Sequence, residues 1–113
     1  MATTPEGRVK QAVKRWLDKR GAYWYMVVPN GYSRAGVPDF IVCLHGQFVG
    51  IETKAPGKLK NTTPGQDREL AKIASAGGTS LVIDDVSQLD VVFGADYGRQ
   101  PGDEGDHPSP QAS

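Results

Sequence analysis

Asp39, Glu52 and Lys54 are the residues of this 113-residue sequence whose types and spacing point to chemistry. Asp39 opens one strand-like run, Asp39 to Leu44. Glu52 and Lys54 close another, Gln47 to Lys54, and His45-Gly46 between the runs fits a tight two-residue hairpin loop. In that hairpin Leu44 pairs with Gln47 and Asp39 falls opposite Glu52, so both carboxylates share one face of the sheet. Side-chain alternation brings Lys54 to the same face. Two facing carboxylates repel and are costly to bury without a compensating cation. Lys54 alone meets that need if the three residues are an ordinary cross-strand charge cluster on a solvated face. The other candidate is a hard divalent ion, because Mg²⁺ takes one or two carboxylates, keeps several waters and accepts a substrate phosphate. Such an ion polarises a phosphoryl oxygen and lowers the pKa of a water, while a neighbouring lysine positions that water, takes its proton or stabilises developing negative charge. The rigid Gly36-Val37-Pro38 lead-in to Asp39 favours chemistry over the solvated cluster.

Other elements must hold this hairpin in place. Thr3, Pro5 and Glu6 match a capping box with proline in the first turn, and Val9, Ala12, Val13, Trp16 and Leu17 follow helical spacing until Gly21. Arg8, Lys10, Lys14 and Arg15 flank that apolar stripe. Residues 23 to 28 are aromatic and β-branched, as in a strand, and Asn30-Gly31 then starts a loop that runs to Pro38. Thr63-Pro64-Gly65-Gln66 is a second capping box, followed by Leu70, Ile73 and Ala74 at helical spacing and by Gly77-Gly78. Residues 79 to 83 read as a buried strand and Val86 to Phe93 as a short closing helix. The order helix, strand, two-stranded hairpin, helix, strand predicts a two- or three-layer α/β domain with a mixed sheet. A domain over 1–96 is expected, with an acidic, Gly- and Pro-rich tail over 97–113 too poor in apolar residues to order itself.

Composition narrows the function classes. The formal net charge is zero, yet residues 1 to 72 carry +6 and residues 73 to 113 carry −6. Such polarity lets one face approach a phosphate backbone while the acidic end stays away from it. No stretch approaches the length of a membrane span, and the start lacks a secretory pattern. The single cysteine, Cys43, excludes an internal disulfide, which suits a reducing cytoplasmic setting; between Val42 and Leu44 it reads as a small buried hydrophobe.

Taken together, Pro38-Asp39 and Glu52-Thr53-Lys54 match the PD-(D/E)xK nuclease signature. Glu6, Ser33-Arg34, Gly36-Val37-Pro38-Asp39-Phe40 and the Gln66 of Thr-Pro-Gly-Gln resemble the virus-type replication-repair nuclease (VRR-NUC) branch of that superfamily, over about Glu6 to Asp84. The resemblance implies a restriction-endonuclease-like core, α-β-β-β-α-β, with a mixed sheet flanked by helices. It further implies Mg²⁺ or Mn²⁺ held by Asp39, Glu52 and the Thr53 backbone carbonyl, with help from Glu6. Lys54 would be the catalytic lysine beside the attacking water, and Gln66 would support the site or the scissile phosphate. Glu6 and Gln66 also have a plain explanation as capping-box residues, although each sits on the apolar stripe of its helix.

Arg34, Lys58 and Lys60, with Ser33 beside them, are candidates for gripping DNA phosphates. The implied substrate is DNA, branched or otherwise structured as at a Holliday junction, in phage replication, recombination or repair, and the implied assembly is a homodimer. Two other functions remain open: a sequence-specific restriction nuclease, for which the short chain leaves little base-reading surface, and a DNA-binding or assembly module without turnover.

Overall fold

The computed structural model describes residues 3–29 and 34–94. The Asn30-Gly31 break, Tyr32, Ser33 and the tail beyond Tyr97 lie outside the described residues. Seven elements follow in the expected order: α1 (Pro5–Lys19), β1 (Tyr23–Met26), β2 (Phe40–Leu44), β3 (Gln47–Thr53), α2 (Pro64–Ser75), β4 (Thr79–Ile83) and α3 (Ser87–Phe93).

The four strands form one mixed sheet in the order β1-β2-β3-β4. β1, β2 and β3 are antiparallel neighbours, and β4 joins β3 in parallel after the α2 crossover. The β2–β3 register pairs Leu44 with Gln47 and Phe40 with Ile51, as the two-residue loop requires. His45 and Gly46 both adopt positive φ, 53° and 78°, the backbone of a type I′ turn whose twist matches that of the flanking strands.

α1 buries Val9, Val13, Trp16 and Leu17 against Phe40, Val42, Leu44, Val49, Ile51, Ile83 and Leu89, which form the core on one face of the sheet. α3 is tied to α1 through Asp90, whose Oδ1 accepts from Trp16 Nε1 at 2.8 Å and from the Arg20 guanidinium at 3.0 Å. α2 lies on the opposite face, where Ile73 packs so closely over Gly50 that a Cβ there would come within 2.6 Å of its Cδ1. Helices therefore cover both faces, in three layers.

Three expectations need correction. Thr4, not Thr3, caps α1, its hydroxyl accepting from Gly7 N at 2.9 Å. The shift moves Glu6 out of the capping-box position, and its carboxylate pairs with Lys10 one turn on instead of returning to the cap. Cys43 is exposed, because it projects to the α2 face beyond the reach of that helix. The strand over 79–83 is buried only at Ile83, its other residues being half-buried, because α2 above it buries Glu69 (7% exposed) more deeply than its apolar residues.

Candidate active site

The site forms where the strand ends meet the first turns of α1 and α2. Asp39 immediately precedes β2, and its backbone carbonyl accepts from Val27 N, so the main chain at this point is fixed by the sheet. Its carboxylate leans across the hairpin onto the end of β3, where Oδ2 accepts from Thr53 N at 2.9 Å and from the Thr53 hydroxyl at 2.6 Å. Asp39 is thus anchored on Thr53, beside Glu52 rather than bonded to it.

Glu52 is only 3% exposed. Its Oε2 accepts from Gln66 Nε2 at 3.0 Å and lies 3.4 Å from Lys54 Nζ, while Oε1 is buried without a hydrogen-bond partner. Burial raises the Glu52 pKa to about 7, the negative charge of Asp39 adds to the rise, and Lys54 offsets part of it. Lys54 Nζ donates to Gln66 Oε1 at 3.0 Å and to the Asn61 carbonyl at 3.2 Å. With Glu52 beside it, the ammonium faces an acceptor for each of its three protons.

Gln66 completes its capping box and also contacts Glu52 and Lys54. Its Oε1 closes the capping box by accepting from Thr63 N at 3.0 Å, and the same oxygen receives Lys54 while Nε2 reaches Glu52. Glu6 enters the site from α1 through Lys10, whose Nζ lies 3.0 Å from Glu6 Oε2 and 4.0 Å from Asp39 Oδ2. Partial burial pulls the Lys10 pKa down, but the hydrogen bond to Glu6 and the charges of Asp39, Glu6 and Glu52 outweigh it and leave the pKa raised.

The structure thus gathers Glu6, Asp39, Glu52, Thr53, Lys54 and Gln66, and adds Lys10 and the Asn61 carbonyl. Lys10 was visible as a helical Glu-to-Lys i,i+4 pair with Glu6, but on its own helix it reads as one flank charge among four. The remaining candidates lie elsewhere. The Arg34 guanidinium donates to buried Glu69 at 3.0 Å, at the edge of an open groove of about 610 Å³ with His45, Phe48, Lys72 and Ile73 in its walls. That groove contains none of the gathered residues. Lys58 and Lys60 are exposed on the loop after β3, which is pinned by Gly57 N donating to Asp84 Oδ2 at 2.8 Å. Ser33 lies outside the described residues.

A divalent cation fits the donor set. A carboxylate oxygen that is buried yet unbonded, as Glu52 Oε1 is, ordinarily has an explanation such as a water or an ion. Among the described residues no three His, Cys, Asp or Glu side chains cluster as metal ligands. A Mg²⁺ site needs only one or two carboxylates, with waters and substrate completing the shell.

The raised Glu52 pKa has a measurable consequence without metal. Native Glu52 keeps its proton up to about pH 7, whereas the unfolded chain releases it near 4.5, so the native state binds more protons between those values. Stability in EDTA is therefore expected to fall as pH rises from 4.5 to 7, by on the order of 2 kcal/mol. Urea denaturation across that window checks it, and Glu52→Gln should flatten the slope.

A mixed sheet in this order, with a hairpin that sets an aspartate beside a Glu-Thr-Lys strand end, defines the restriction-endonuclease-like class of α/β fold. The chain belongs to the VRR-NUC family: a solved structure of a VRR_NUC domain matches it with a TM-score of 0.63 and 31% sequence identity, over 80% of this chain and 95% of that one. It is thereby a nuclease-family domain. No family model and no curated protein matches the chain. No described helix is long and apolar enough to cross a membrane.

Proposed function

We propose that the chain is a Mg²⁺- or Mn²⁺-dependent endonuclease that hydrolyses DNA phosphodiesters, with Asp39, Glu52 and the Thr53 backbone carbonyl as metal ligands. The observation that carries this reading is the buried Glu52, with one oxygen unbonded and the other held between Gln66 and Lys54, next to an anchored Asp39. A bound divalent ion supplies Lewis-acid polarisation of the phosphoryl oxygen and lowers the pKa of a water.

The chain's own residues do the remaining work. Thr53 fixes the direction of the Asp39 carboxylate. Gln66 orients Glu52 and Lys54 toward each other from the first turn of α2. Lys54, with acceptors for all three protons, is suited to act as a fixed positive charge that stabilises the phosphate as negative charge develops, rather than as a base. Glu6 assists through its ion pair with Lys10. Lys58 and Lys60 are exposed beyond the end of β3, which supports a role for them as contacts to the backbone of the same DNA.

Branched DNA is the proposed substrate, and a homodimer cutting both strands of a junction is the proposed assembly, in phage replication, recombination or repair within the cytoplasm. The test is a cleavage assay with Mg²⁺, Mn²⁺ or EDTA on linear duplex, flap and four-way-junction DNA, alongside sedimentation of the protein. Metal-dependent cutting with preference for branched substrates is expected. Binding without cutting in either metal would identify a module that has lost turnover, and cutting at one short sequence in plain duplex would identify a restriction enzyme.

A further inference from the structure

Lys10 is the member of the site that the nuclease signature leaves unassigned. It sits one helical turn after Glu6 and joins two elements of the site, with Glu6 of α1 on one side and Asp39 before β2 on the other. Its side chain is 30% exposed, so the ammonium stands at the mouth of the site rather than in its floor, where Lys54 is 12% exposed. The two lysines are therefore not equivalent. Lys54 is locked by Glu52, Gln66 and Asn61, whereas among the described residues Lys10 pairs with the carboxylates of Glu6 and Asp39. Three acidic groups near one another repel, and Lys10 is the positive charge between Glu6 and Asp39 that keeps them together.

We infer that Lys10 is a positioning residue that holds Glu6 and Asp39 together and competes with the divalent cation for their charge. The inference rests on the nuclease reading above. A cation arriving beside Asp39 comes close to the Lys10 ammonium, and like charges at such separations in a half-exposed site repel appreciably. Removing the ammonium has two opposite effects. The metal-free site loses its internal counter-charge, and the metal gains affinity because nothing positive resists it.

The test is calorimetric titration of Mn²⁺ into the wild-type protein, Lys10→Gln, Lys10→Arg and Glu52→Gln, with thermal melts of each in EDTA and in excess Mn²⁺. Lys10→Gln is expected to bind Mn²⁺ roughly three- to tenfold more tightly than wild type, and to melt lower in EDTA with the loss recovered in Mn²⁺. Lys10→Arg should stay near wild type in both. Unchanged or weaker Mn²⁺ affinity in Lys10→Gln, while Glu52→Gln loses binding, overturns the role of Lys10 and leaves the metal site standing. The same melting loss with and without Mn²⁺ marks Lys10 as merely structural and also overturns it. Failure of Mn²⁺ to bind wild type at all overturns the metal site and this inference together.

Discussion

Lys54→Met is expected to lower DNA cleavage by roughly 10²- to 10⁴-fold, the range found when a positioned charge or hydrogen-bond donor is removed from a reacting centre. Lys54 presents a full charge from a side chain already immobilised by Glu52, Gln66 and Asn61, so little ordering is left to do when substrate arrives. The folded state should survive the change, because Glu52 without its lysine has still more reason to keep its proton at neutral pH. Single-turnover cleavage and a thermal melt on the same preparation separate the two effects. Turnover within about tenfold of wild type would show that Lys54 is not the group that meets developing charge. Glu52→Gln and Asp39→Asn should be comparably damaging to cleavage and should also abolish calorimetric Mn²⁺ binding, which Lys54→Met should not.

The second large effect concerns a residue that touches no reacting group. Gly36 adopts φ +89°, and a Cβ there would lie 2.5 Å from the Gly65 carbonyl oxygen and 3.0 Å from Gln66 N. The loop that delivers Asp39 is thus pressed backbone to backbone against the first turn of α2, which delivers Gln66. Gly36→Ala combines backbone strain with a collision against main-chain atoms that cannot rotate away, and a loss of about 2–4 kcal/mol is expected by urea denaturation. Gly57→Ala is the control: φ is similar at +84°, but nothing lies within 4 Å, and a cost nearer 1 kcal/mol is expected. Equal losses at the two positions would show that conformation alone, and not the close approach, makes Gly36 necessary.

The hairpin was legible because its information is local. A two-residue loop of His and Gly sets the register, and the register sets which side chains face each other. The order of elements and the second capping box follow equally from spacing along the chain. What spacing does not reveal is how separate elements meet. Lys10 becomes a site residue only because folding brings α1 alongside Asp39, and no pattern within the helix records that approach. Arg34 offered a guanidinium close to Asp39 in sequence, but Glu69, buried on α2 and thirty-five residues away, takes it instead. Cys43 has apolar neighbours in sequence and is nevertheless exposed, since burial on that face depends on how far α2 extends across the sheet. The cap of α1 moved by one residue because Thr3 and Thr4 are both competent, and the choice between them frees Glu6 for Lys10.

Because one oxygen of Gln66 receives both Thr63 N and Lys54 Nζ, fraying at the start of α2 is coupled to loosening of the Glu52–Lys54 pair. The Thr63 amide proton is accordingly a gauge of the site: its rate of exchange with solvent deuterium should slow when metal or DNA tightens the cluster and quicken when the cluster is broken. An assembled centre can then be followed by NMR at a single backbone position, without any cleavage taking place.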